Sequence, residues 1–176
     1  MSGDQDKAGR PSGLSGAGLR IGVVRARWNA DIVDRLLDGV RRGLADLGVR
    51  DDDVVETSVP GSFELPMGAR ILAASGYVDA VICLGSVIRG ETSHYELVSG
   101  ESAAGIQQVQ LTTGVPVAFG LLTTEDTDQA LARSEGPGGH NVGEDAAVVA
   151  VEMARLAEDY PPGKARPGAG TAIGFR

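Results

Sequence analysis

Four short apolar runs alternate along the chain with segments of helical period, and this alternation restricts the fold more than any other feature. The runs are Leu19–Val24, Val54–Val59, Val78–Leu84 and Val115–Leu122. Each is short, β-branched and bounded by turn residues, so each predicts a strand. After the first run, Ile32, Val33, Leu36, Leu37, Val40, Leu44 and Leu47 recur at helical spacing, with Asn29 placed to cap the helix and Gly48 to stop it. A shorter helix is predicted over Leu65–Ala74, and a longer one over Ser93–Thr112, closed by Gly114. Two helices, Asp126–Arg133 and Glu144–Glu158, follow the last strand, and Pro161 and Pro162 stop the second. Strands joined by helices cannot pair as hairpins. The expected fold is therefore an α/β three-layer sandwich, a four-stranded parallel sheet with helices on both faces.

The ends read differently. Residues 1–18 hold five Gly, three Ser and one Pro, and residues 161–176 hold four Gly and three Pro. Neither stretch has an apolar period, so both are expected to be disordered tails around one domain at 19–160. The net charge is −8, and residues 1–160 carry 13 basic against 24 acidic residues. So acidic a body argues against nucleic acid or an anionic membrane as partner. Any anion must be held by a few placed donors. No apolar run reaches 18 residues and no signal-peptide pattern opens the chain, so a soluble, cytoplasmic protein is expected. The single cysteine, Cys83, excludes an intrachain disulfide and fits a reducing compartment. Within a strand it reads as an inert buried thiol.

The chemistry concentrates in Gly85–Tyr95, GSVIRGETSHY, where a strand ends and a helix opens. Ligands of open α/β sheets collect outside the carboxyl ends of the strands, and a helix N-terminus there favours an anion. His94 lies within a turn of that position, and an imidazole suits proton transfer near neutral pH. Trp28 and Phe63 fall just past strands one and two. A lone Trp fits a core, but this repeated strand-end placement favours a stacking platform for a flat ligand. Glu64, in VPGSFELP, reads equally as a helix-capping acid or as an acceptor for ligand N–H and O–H groups. Arg133 either complements a helix end or grips phosphate. His140, in a Gly-rich loop, either meets a ligand or caps the last helix. No metal-ligand spacing, Walker loop or nucleophile elbow is present. A receiver-type domain needs a Lys at a strand end, and residues 19–157 contain no Lys.

Together these pieces resemble the lumazine synthase (6,7-dimethyl-8-ribityllumazine synthase) family over residues 19 to about 157. The resemblance rests on ARWN at 26–29, VPGSFELP at 59–66, GSVIRGETSHYE at 85–96, PVAFGLLTTED at 116–126 and GGHNVGEDAAVVAVEM at 138–153, in the family's order. It agrees with the α/β alternation on a flavodoxin-like sandwich. It implies condensation of 5-amino-6-(D-ribitylamino)uracil with 3,4-dihydroxy-2-butanone 4-phosphate, through a Schiff base, phosphate elimination and ring closure, without metal or organic cofactor. By position, Trp28 would stack on the pyrimidine. Ser62, Phe63 and Glu64 would contact the ribityl-aminouracil, and Ser86, Val87 and Ile88 would bind it through backbone groups. Glu91, Thr92 and Arg133 would hold the butanone phosphate, and His94 would transfer protons. Phe119 would close the site from a neighbouring subunit, so a homopentamer is implied; in some members twelve pentamers form a 60-subunit shell.

One position departs from the family. Many members carry Lys or His where this chain has Val142. Losing one charge-assisted hydrogen bond costs about 1.5–3 kcal/mol. Either His140 compensates, or the phosphate rests on Arg133, Thr92 and backbone N–H groups. The departure leaves a second reading open, a non-catalytic flavin- or lumazine-binding protein on the same scaffold. The loop is also one residue longer than in many shell-forming relatives, which favours a free pentamer.

Overall fold

The computed structural model describes residues 9–161. Its elements are β1 (Ile21–Ala26), α1 (Ala30–Asp46), β2 (Val54–Val59), α2 (Leu65–Ala74), β3 (Ala80–Ile88), α3 (His94–Thr113), β4 (Val117–Thr124), α4 (Thr127–Leu131) and α5 (Val142–Asp159). Single 3-10 turns at Asp51–Asp53 and Ser62–Glu64 precede β2 and α2. The four strands form one parallel sheet in the order β2-β1-β3-β4. The predicted α/β sandwich is thus the observed one.

Period-two alternation divides the core between the two faces. On β1 and β3, Ile21, Val23, Ala80, Ile82 and Leu84 meet α1 and α5. Val24, Ala26, Val81 and Cys83 meet α2 and α3. Burial on both faces explains why these strands read as unbroken apolar runs. Burial also pushes the Cys83 thiol up to about 12, so it stays protonated and inert.

The α1–α5 seam brings two backbones into contact. A Cβ on Gly143 would lie 2.0 Å from the Leu36 carbonyl oxygen, and one on Gly39 would lie 2.0 Å from Asn141 Oδ1. Asn141 locks the seam. Its Oδ1 accepts from the N–H groups of Gly143 and Glu144 at 2.9 and 3.3 Å, capping α5. Its Nδ2 donates to the carbonyls of Arg35 and Glu135 at 3.0 and 2.9 Å. All four bonding positions of this buried amide are filled.

Some boundaries move. β1 runs to Ala26 rather than Val24, and β3 continues past Leu84 to Ile88, because β4 supplies partners as far as Ile88↔Thr124. Ser86 to Ile88 are therefore strand, not loop. α5 starts two residues early, at Val142, behind the Asn141 cap. Asn29 stands at the N-cap position of α1, but its side chain makes no capping bond.

The segment before β1, expected to be without packing, is docked from Leu14 to Ala17. Leu14 packs on the core, the Gly16 N–H donates to the Leu47 carbonyl at 2.6 Å, and the Arg155 guanidinium donates to the carbonyls of Ser15 and Ala17 at 2.8 and 2.6 Å. An apolar period was the wrong signal here, since backbone hydrogen bonds to a distant Arg hold the segment. Residues 1–8 and 162–176, the remainder of the expected tails, lie outside the described residues. No helix among the described residues is long and apolar enough to cross a membrane.

Candidate functional site

The order of the sheet reverses between β1 and β3, because β1 leads outward to β2 while β3 leads the opposite way to β4. A cleft of about 650 Å3 opens there, outside the carboxyl ends of the strands, as the topology favours. Trp28 and Asn29 after β1, Gly61 to Glu64 after β2, Ser86 to Ile88 at the end of β3, and His94, Leu97 and Val98 of α3 form its walls.

Trp28 is 73% exposed and Phe63 57%, so neither is a core residue. Gly61 allows the indole to lie against the turn after β2: a Cβ there would sit 3.2 Å from Trp28 Cδ1. The Gly61 N–H donates to Glu64 Oε2 at 3.0 Å, which gives Glu64 the capping role, while the residue also faces the cleft. Ser62 is buried, and its carbonyl accepts from the Ser102 hydroxyl at 2.9 Å, tying the turn to α3. Asn29 Nδ2 donates to the Ser86 carbonyl at 2.8 Å.

Ser86 follows the alternation of Leu84, so its side chain belongs to the α1–α5 face of the sheet. Its hydroxyl is buried without a hydrogen-bond partner among the described residues. What Ser86 offers the cleft is backbone. Ser86→Ala is therefore expected to leave turnover unchanged and to keep or raise stability by up to about 1 kcal/mol, since it deletes an unsatisfied buried hydroxyl. Denaturant midpoints and initial rates check this.

His94 opens α3 and is exposed; its N–H reaches Thr92 Oγ1 at 3.4 Å. Glu91 and Thr92 form the exposed bend before it and do not line the cleft. Arg89, within GSVIRGETSHY, is committed to protein carboxylates. It bonds Glu96, pairs with Glu125 at 2.7 Å and lies 4.1 Å over the Tyr95 ring. Its guanidinium holds the Glu96 carboxyl below the usual carboxylate range.

The second half of the expected phosphate grip stands outside the cleft. Arg133 donates to the Gln129 carbonyl at 3.0 Å and so complements the end of α4. His140 Nε2 lies 3.4 Å from Asp145 Oδ2. Val142 packs on the core, and its N–H donates to the Arg133 carbonyl at 2.9 Å. Phe119, 44% exposed on β4, does not line this chain's cleft either. Eight of the twelve residues singled out by sequence thus converge, while Glu91, Thr92, Phe119 and Arg133 do not. Sequence reasoning missed Gly61, Leu97 and Val98, and it gave Asn29 only a capping role. Leu97 and Val98 were findable, because positions three and four beyond His94 share its face of a helix.

Comparison with known proteins converges on one family. The model of the 6,7-dimethyl-8-ribityllumazine synthase family matches residues 18–158. A protein of Azoarcus sp. with that name is 48% identical over 145 residues, covering 82% of this chain and 90% of its own. Its namesake in Paraburkholderia phytofirmans is 51% identical over 144 residues, covering 82% and 83%. One in Desulfotalea psychrophila is 48% identical over 145 residues, covering 82% and 93%.

Proposed function

The chain belongs to the 6,7-dimethyl-8-ribityllumazine synthase family, and from that membership we propose that the cleft at the switch point is the site where it makes this lumazine for riboflavin biosynthesis. The supporting observation is the meeting of Trp28, Ser62 to Glu64, Ser86 to Ile88 and His94 around one cavity, from segments distant in sequence.

The chemistry follows from the parts. The pyrimidine of 5-amino-6-(D-ribitylamino)uracil lies on the Trp28 ring and bonds the backbone of Ser86 to Ile88. Glu64 and the backbone of Phe63 take its ribityl hydroxyls. The 5-amino group attacks the ketone of 3,4-dihydroxy-2-butanone 4-phosphate, and water leaves as the Schiff base forms. Phosphate is then eliminated, and ring closure releases a second water. His94, at the mouth of the cleft, carries protons between these steps. The phosphate rests on the start of α3, near Glu91 and Thr92, with Arg133 completing the grip.

The protein works as a homopentamer. Phe119 faces outward from an edge strand, and Leu97 and Leu111 of α3 are 62% and 73% exposed. A neighbouring copy covering these residues would bring its own Phe119 to this cleft. Sedimentation should then give five chain masses, and a 60-subunit particle would be the alternative assembly. The compartment that fits the single buried thiol is the cytoplasm.

The test is an assay of lumazine formation from the two substrates, with butanone phosphate varied. Turnover above the uncatalysed background is expected, with the altered loop at Val142 raising KM for butanone phosphate alone. No turnover, together with tight binding of riboflavin that quenches its emission, would instead favour the flavin-binding reading.

A further inference from the structure

Among the described residues, Asn29 is the one residue other than glycine with positive φ, at φ 56° and ψ 46°. The left-handed region is unfavourable for residues bearing a Cβ, and Asn tolerates it better than most. Such a conformation persists where neighbouring contacts over-determine it. Here the contact is the 2.8 Å hydrogen bond from Nδ2 to the Ser86 carbonyl, which joins residues 57 apart in sequence. The bond crosses the switch point from the end of β1 to the end of β3, and both residues line the cleft. The left-handed turn directly follows Trp28, whose ring is mostly exposed and so is fixed little by packing. A helix-capping role is ruled out, because the side chain makes no bond to the first turn of α1.

We propose that Asn29 is a positioning residue for the pyrimidine subsite: its amide bond to Ser86 and its left-handed backbone set the spacing between the Trp28 ring and the β3 backbone, and so the width of the slot that takes a flat heterocycle. This rests on the reading of the cleft as the active site. The slot is formed by two groups on separate elements, one a ring after β1 and the other the polar edge of β3. The β1–β3 ladder ends at Arg25↔Leu84, so past it the Asn29–Ser86 bond ties the turn that carries Trp28 to the end of β3.

Three substitutions separate the contributions. Asn29→Gly keeps the left-handed turn and deletes the amide. Asn29→Asp keeps the size of the side chain and sets an oxygen against the Ser86 carbonyl. Asn29→Ala loses the amide and disfavours the turn. KM for the ribityl-aminouracil is expected to rise about five- to tenfold in Asn29→Gly, the scale of one lost hydrogen bond, and further in Asn29→Asp and Asn29→Ala. KM for butanone phosphate and kcat should not change. Trp28 is the only tryptophan of the chain, so its emission, titrated with the aminouracil alone, should report the same loss of affinity. Thermal unfolding of each variant identifies any general loss of folding. Equal aminouracil KM values in the parent and Asn29→Gly, or a parallel rise of both KM values, would overturn the proposal. If the parent shows no turnover, the active-site reading fails instead, and the emission titration still decides the role of Asn29.

Discussion

His94→Ala is expected to slow lumazine formation by about a hundredfold at most, the lower end of what positioned proton transfer contributes, and to leave the fold intact. The ceiling follows from exposure. His94 is an exposed residue at the mouth of the cleft, so water and buffer compete for its task. The loss should fall on kcat, because the groups assigned to the ribityl-aminouracil are elsewhere, on Trp28, Glu64 and the β3 backbone. An exposed side chain at a helix start changes stability by no more than about 0.5 kcal/mol, so the unfolding midpoint should hold. The check is the rate at saturating substrates, corrected for the uncatalysed reaction. A loss confined to KM would make His94 a binding residue and leave the proton transfer without an agent.

Gly143→Ala is expected to be the most damaging Gly→Ala change among the described residues. The new Cβ would overlap the Leu36 carbonyl oxygen, and backbone cannot rotate away as a side chain can. Relief requires α5 to separate from α1, which also strains the four bonds of Asn141. Overpacking of this kind costs about 1–3 kcal/mol, and the upper end applies because the obstacle is main chain. Replacing Gly by Ala within a helix returns at most about 1 kcal/mol. A net loss near 2 kcal/mol should lower Tm by roughly 4–8 °C in a chain of this size. Thermal scans at one fixed protein concentration check it, and an unchanged Tm would mean that the α1–α5 distance is set elsewhere.

The layers and the parallel sheet were legible because local pattern and global burial agree. Apolar runs such as Ala80–Leu84 carry the signature of strands covered on both faces, and α1 shows its stripe plainly. The site was legible where chemistry sits beside a strand end, as with Trp28 and His94. It was not legible where a residue acts through long-range geometry. Nothing local reveals that Asn29 would bond Ser86, or that Arg89 would be taken by Glu96 and Glu125. The fate of Ser86 turned on the four residues by which β3 outruns Leu84, because strand alternation then puts its hydroxyl on the α1–α5 face. Phe119 and Arg133 stand outside the cleft of the single chain, and nothing local in their sequence shows it.

The docked segment before β1 bears on how the molecule can be joined to others. Leu47 ends the helix that begins at the cleft, and Arg155 lies late in α5, which runs alongside α1 in the same direction; both grip residues 15 to 17. Residues 15 to 17, the end of α1 and the late turns of α5 therefore meet at the pole remote from the cleft. A fluorophore placed at Ala17 or on the late turns of α5 would sit at that pole, away from the cleft.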